Sequence, residues 1–254
     1  MFRYSFIIPI AFFLSLAGAG CAGTSPTTEA KNKDKARALE DMGTSFIRQG
    51  NMRAALEKLL EAEKLEPENA YIKQELALVY RELGEYQKAL EYFHQALKLD
   101  PQFPEAQNNL CGLYLLLKEW DSAIEYCRKA ADDLLFKNPE FAYTQLGTAY
   151  FGKGNYEMAI VSFQQALKLA PEYSPAYLGL GYVYEEINKW DWAIEAYKKS
   201  IIYNPDNANG YFRMGRLYQK MNRKAEAQES LRHFLELVPE GPAAEEAKKL
   251  LKTM

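Results

Sequence analysis

Histidine and cysteine are scarce in this chain: His94 and His233, with Cys21, Cys111 and Cys127, among 254 residues. A metal centre needs three or four such ligands converging. The two histidines fall on separate expected helices, where a solvated surface position accounts for each, so neither a metal nor another cofactor is expected. Also missing are a glycine-rich phosphate loop, a Gly-x-Ser-x-Gly elbow, a His-Glu-x-x-His helix and a Cys-x-x-Cys pair. Acidic pairs such as Glu185-Glu186 and Asp132-Asp133 belong to helices or links, where solvated charge is the ordinary state. No sign of charge dominates, with Lys+Arg 31 against Asp+Glu 34 and a net charge of -3. That excludes the basic footprint of a nucleic-acid partner. The one long apolar run, residues 6–17, is too short to span a bilayer. No catalytic constellation emerges, and the expectation is a protein that is not an enzyme.

What the sequence does contain is a period. From residue 36 to residue 241 it repeats six times at 34 residues, with a single two-residue slip. Met42-Gly43, Leu76-Ala77, Leu110-Cys111, Leu146-Gly147, Leu180-Gly181 and Met214-Gly215 stand in register. Three residues on comes an aromatic: Phe46, Tyr80, Tyr114, Tyr150, Tyr184, Tyr218. Alanine follows at a fixed distance (Ala55, Ala89, Ala123, Ala159, Ala193, Ala227), and five units then reach Pro67, Pro101, Pro171, Pro205 and Pro239. Each unit holds two amphipathic segments of about 12 to 15 residues with apolar positions at i, i+3, i+4 and i+7. The small residue beside each leucine lets the two helices approach. Gly50, Gly84 and Gly154 sit where a left-handed residue closes the first helix, and the prolines stop the second.

This spacing resembles the tetratricopeptide repeat. The resemblance implies an all-α, right-handed solenoid of six helix-turn-helix repeats, over residues 36–69, 70–103, 104–139, 140–173, 174–207 and 208–241. A polar, lysine-rich capping helix over residues 242–254 would close its end. Between the third and fourth units the period stretches to 36 and Leu135 replaces the proline. A distorted helix end and a local change of pitch are expected there.

The amino terminus is a second signal. Arg3, the apolar residues 6–17 and Gly18-Ala19-Gly20 read as a secretory signal over residues 1–20. A cysteine directly after small residues is similar to the lipobox of bacterial lipoproteins, with Gly18 where that motif usually has leucine. The resemblance implies that Cys21 carries three acyl chains, and more than one gives stable membrane anchoring. A flexible tether over residues 21–35 would follow. Ordinary secretion with cleavage nearby is the alternative. Ala22 and Gly23 lack the acidic residue associated with inner-membrane retention, so the expected location is the outer membrane, on its periplasmic face.

Cys111 and Cys127 both fall on the hairpin interior of the third unit. They are either a disulfide, which the periplasm permits, or two buried thiols packing as small hydrophobes. Trp120, Trp190 and Trp192 begin second helices, where packing accounts for them.

The outward faces of first helices line the concave groove in solenoids of this kind. The matching positions give Arg37, Glu40, Thr44 and Ile47, then Tyr71, Gln74, Leu78 and Arg81, then Asn108, Gly112 and Leu115. Phe141, Thr144, Thr148 and Phe151 follow, then Leu178, Tyr182 and Glu185, then Phe212, Arg216 and Gln219. The middle is apolar and the charges gather at the ends. The strip recurs on one face, so a groove for an extended or helical peptide is expected. Its best anchors are Leu78, Leu115, Phe141, Phe151, Tyr182 and Phe212, expected to be free of stacking duty.

In the third unit Asn108-Asn109-Leu110-Cys111-Gly112-Leu113, Ala130-Ala131-Asp132-Asp133 and Asn138-Pro139-Glu140 resemble a stretch of the type IV pilus biogenesis lipoproteins, the pilotin family. That resemblance implies a scaffold that binds secretin subunits, delivers them to the outer membrane and promotes their ring assembly. Another client, in polysaccharide export or outer-membrane protein assembly, is the alternative.

Overall fold

The computed structural model describes residues 28–254. Thirteen helices follow one another there, and among the described residues there is no strand. Hairpins form between α1 (Thr28–Arg48) and α2 (Met52–Leu65), α3 (Ala70–Glu82) and α4 (Tyr86–Leu99), and α5 (Pro104–Leu117) and α6 (Trp120–Asp132). They continue with α7 (Pro139–Gly152) and α8 (Tyr156–Leu169), α9 (Ser174–Glu186) and α10 (Trp190–Tyr203), and α11 (Ala208–Lys220) and α12 (Lys224–Leu237). Each second helix also packs on the next first helix, because a lone hairpin cannot bury its apolar stripe. The last helix, α13 (Pro242–Thr253), buries Ala244 and Ala247 and lays Ala247 against the Leu231 and Phe234 side chains. This is the all-α repeat architecture that the period implied.

Six turns between paired helices share one conformation. Gly50, Gly84 and Gly154 have φ of 74°, 79° and 80°, and Lys118, Asn188 and Asn222 hold the same place at 60°, 57° and 59°. In each, the next amide returns to the carbonyl of the repeat aromatic, as from Glu85 to Tyr80 at 2.9 Å and from Lys189 to Tyr184 at 2.8 Å. That closure satisfies helix-end carbonyls. It imposes the left-handed residue even where the sequence supplies lysine or asparagine. The prolines lie two residues beyond the ends of α2, α4, α8, α10 and α12.

The small residue of each hairpin meets the large residue of its partner helix. A Cβ on Gly147 would stand 2.8 Å from the Phe163 ring. Cys111 and Cys127 occupy the equivalent two positions of the third unit, both fully buried. Their sulfurs are in bonding contact and their Cα atoms 5.1 Å apart, inside the span that a disulfide accepts. Trp120 packs over Gly152 and Trp190 is half-buried. Trp192 departs from the packing expectation: it is 56% exposed, with Tyr184 at its edge and Lys189 over its face.

Two other expectations meet the structure. Helix α1 begins at Thr28, so the flexible tether expected through residue 35 is helical from there on. The stretch after Pro26 has no further proline or glycine before Gly43 and is rich in Ala, Lys and Glu, which are good helix formers. Glu29, Asn32 and Lys33 thereby form one wall of a cleft whose other wall is the 65–71 link. Cys21, the signal over residues 1–20 and the first part of the tether lie outside the described residues. Among the described residues no helix is long and apolar enough to cross a membrane.

At the slip, α6 ends differently from its counterparts. The Asp133 amide bonds back three residues to Ala130 at 3.4 Å, whereas Asp100 and Ala170 bond back four, to Ala96 and Ala166. Leu134 and Leu135 are 99% and 85% exposed, and Phe136 turns inward onto Ala130, Ala131 and Ala142. The longer link leaves α6 and α7 in fuller contact than any other junction between successive repeats.

Candidate protein-binding groove

Helix α1 lies beside α3, α3 beside α5, α5 beside α7 and α7 beside α9. The first helices thus form one wall, and the groove positions recur along it. The structure sorts those positions by depth. Tyr71, Phe141, Thr148 and Arg216 are exposed; Leu78, Arg81, Leu115, Phe151, Leu178, Tyr182 and Phe212 are half-buried; Gln74 and Asn108 are buried.

The expected freedom from stacking duty fails for most of the anchors. Leu78 packs on the core around Phe93, and Leu115 and Phe151 on that around Phe163. Leu178 and Tyr182 join the core around Tyr197, and Phe212 lies 4.8 Å from the Phe234 ring. The first helices stand so close that these side chains touch a neighbouring element before they reach solvent. Of the six anchors, only Phe141 stays outside every core cluster, at 45% exposure. The half-buried ones combine support of the stack with an apolar surface toward the wall.

Three regions differ in chemistry. At the first junction, burial pushes the carboxyls of Glu40 and Glu75 above the usual range, and the charge of Glu75 adds to the effect on Glu40. In the middle, Leu78, Leu115, Phe141 and Phe151 are interrupted by threonines whose hydroxyls are spent on the helix itself, Thr144 donating to Glu140 O and Thr148 to Thr144 O. Asn108 accepts from Gln145 Nε2 at 2.8 Å, which ties the third unit to the fourth. At the far end the Tyr197 hydroxyl donates to Glu185 at 2.7 Å and Arg213 lies over the Tyr182 ring, 3.7 Å from Glu185. Burial, then the bond to Glu185, raises the Tyr197 pKa far above its ordinary value. Arg216 pairs with Glu246 of the capping helix.

Sequence reasoning missed one register. Glu75, Gln145 and Arg213 each stand one residue after a groove position, and Gln145 and Arg213 reach back to the preceding repeat. Glu75 is felt by Glu40, Gln145 bonds Asn108, and Arg213 meets Tyr182 and Glu185. The signal was present at the same 34-residue spacing, but a polar residue beside the groove position reads as an exposed helix flank until the neighbouring helix is placed. His94 and His233 are exposed as expected, His94 beside the Tyr114 hydroxyl and His233 beside Glu236.

Models of the tetratricopeptide repeat match residues 40–102 and 75–134, 141–173 and 208–240, and a further TPR repeat model matches 186–222. Among curated proteins none matches the chain significantly. Among solved structures the chain is similar to PilF of Pseudomonas aeruginosa, with a TM-score of 0.74 and 20% identity over 86% of this chain and 99% of that one. It is similar to PilW, described as a widely conserved type IV pilus biogenesis factor, with a TM-score of 0.78 and 20% identity over 84% of this chain and 98% of that one. A third likeness is to YrrB, described as a TPR protein with an unusual peptide-binding site: TM-score 0.55 and 21% identity over 75% and 97% of the two chains. These likenesses establish a shared fold.

Proposed function

Because the chain belongs to the tetratricopeptide-repeat family, whose fold serves protein–protein interaction, we propose that it is a non-enzymatic outer-membrane lipoprotein that binds a protein client along the first-helix wall and promotes type IV pilus secretin localisation and assembly. The observation that carries client binding is the apolar strip from Leu78 through Leu115 and Phe151 to Tyr182 and Phe212, part-exposed across five repeats. Large side chains in such a strip are the usual anchors of an interface. The pilus reading is supported by the third-unit residues that resemble the pilus lipoproteins. It is supported too by an array that spans nearly the whole of PilF and PilW. On this reading acyl chains on Cys21 supply the address and the wall supplies the specificity. The mechanism is one of capture and delivery, with no bond made or broken in the client.

Deletion of the gene should abolish surface pili and leave secretin as monomers, and Cys21→Ser should release the protein from the membrane fraction. Normal piliation after deletion, with defects in another envelope complex, would favour the alternative of a different client. A Cys21→Ser protein that stays in outer membranes and retains labelled fatty acid would refute the anchor.

A further inference from the structure

The lengthened link between α6 and α7 displays Leu134 and Leu135, the two most exposed large apolar side chains of the described residues. They are held outward by a fixed turn. The Leu135 amide donates to the Asp133 carboxylate at 2.7 Å and the Phe136 amide to Asp133 O at 3.3 Å. Phe136 pins the turn by burying its ring on Ala130, Ala131 and Ala142. Asp132 accepts from the Tyr143 hydroxyl at 3.2 Å. Lys137, next to the leucines, is exposed and has no ion pair among the described residues. Scattered surface leucines are ordinary, but two adjacent ones on a rigid tip leave apolar area in water that burial would stabilise.

The position of the link in the fold indicates what covers it. First helices begin, and second helices end, at the edge that carries the inter-repeat links. The chain enters the array at this same edge, where Glu29, Asn32 and Lys33 of α1 face the 65–71 link. Thr28 is seven residues from Cys21, at most about 25 Å of chain. Leu99, Leu169 and Leu237 end their helices on this edge and are exposed there. We propose that Leu134 and Leu135 insert into the phospholipid surface that holds Cys21, seating the link edge on the bilayer. Leucines on a fixed turn beside a lysine suit that interface, with the apolar side chains below the headgroups and the ammonium among them. The proposal rests on the reading of Cys21 as the membrane anchor. Its consequence is orientation, since the acyl chains already supply attachment.

The test supplies the anchor artificially. A mature Cys21→Ser chain with an amino-terminal hexahistidine tag is held on phosphatidylethanolamine–phosphatidylglycerol vesicles through a nickel-chelating lipid. A nitrobenzoxadiazole label is placed at Leu134→Cys or, on the opposite edge, at Lys88→Cys. Emission from position 134 should shift to the blue and be quenched by spin-labelled lipid, and emission from position 88 should do neither. Adding Leu135→Ser should lower the ratio of seated to free tip by roughly tenfold with no change in melting temperature. Absence of a shift at 134, or equal shifts at both positions, overturns the proposal. A shift that needs no vesicles and grows with protein concentration assigns the leucines to a second copy of the chain and overturns it too. Fatty-acid labelling of the native protein reads the anchor separately. A seated tip on a chain that takes up no fatty acid upholds the leucines and overturns Cys21 as the anchor.

Discussion

Phe151 and Phe141 offer a controlled comparison, because one side chain works twice and the other once. Both stand on α7 at groove positions, but Phe151 is half-buried against the Phe163 core with Tyr156 at 5.9 Å between ring centroids, and Phe141 is 45% exposed outside every core cluster. Truncating a fully buried phenylalanine to alanine costs about 3–5 kcal/mol. With roughly half of that burial, Phe151→Ala should cost about 1.5–2.5 kcal/mol. In a chain of this size that is about 3–10 °C of melting temperature. Phe141→Ala should stay within about 0.5 kcal/mol. Client binding should behave differently: if both rings are anchors, each truncation loses about 1–3 kcal/mol, or roughly 5- to 150-fold in Kd. Calorimetric or circular-dichroism melting, paired with titration of purified secretin subunit at a temperature where both variants are folded, reads the two effects apart. A Phe151→Ala protein that melts like the parent refutes its packing role. Unaltered binding in both variants refutes the wall.

Gly84→Ala should cost about 1–2 kcal/mol, all of it backbone, because φ is 79° and no atom lies within 4 Å of an added Cβ. Asn188→Gly should be nearly neutral, since relief of its positive φ is offset by a looser unfolded chain; chemical denaturation measures both. Thiol titration of unfolded, unreduced protein should find Cys111 and Cys127 unreactive, and reduction should cost about 2–4 kcal/mol; two free thiols would leave them as packing residues only. The raised carboxyls of Glu40 and Glu75 make the folded state bind protons more tightly than the unfolded one. Their contribution is therefore fully present below the ordinary carboxylate range and is lost as pH rises through their folded values. Gln at both positions should flatten that part of the stability–pH curve, and an unchanged curve would refute the assignment.

The fold was legible because its determinants are local and repeated. The Leu-Gly pair, the aromatic, the alanine and the proline each mark one physical event, and their register places twelve of the helices. Less legible was whatever depends on the gap between helices. Lys118, Asn188 and Asn222 do not advertise a left-handed turn, yet helix closure imposes it. Leu115, Phe151 and Tyr182 look like free surface on a helical wheel, and become half core once the next first helix arrives. Charge across the wall was hidden for the same reason: Glu75 and Arg213 act on the repeat before their own. The start of α1 was missed on composition, where Ser, Thr and Asn suggested a tether and the alanines and lysines favoured helix.

The seam between α6 and α7 sets the order in which the molecule comes apart. In a linear array an inner unit has two neighbours and a terminal unit has one, so opening starts at the ends. Placing the fullest junction at the midpoint steepens that gradient, and amides on either side of the seam should be the last to exchange with solvent. Leu115 and Phe151 flank this seam. A segment lying along the protein would therefore meet an unyielding centre and flanks that give, and it would seat its apolar middle before its ends are fixed.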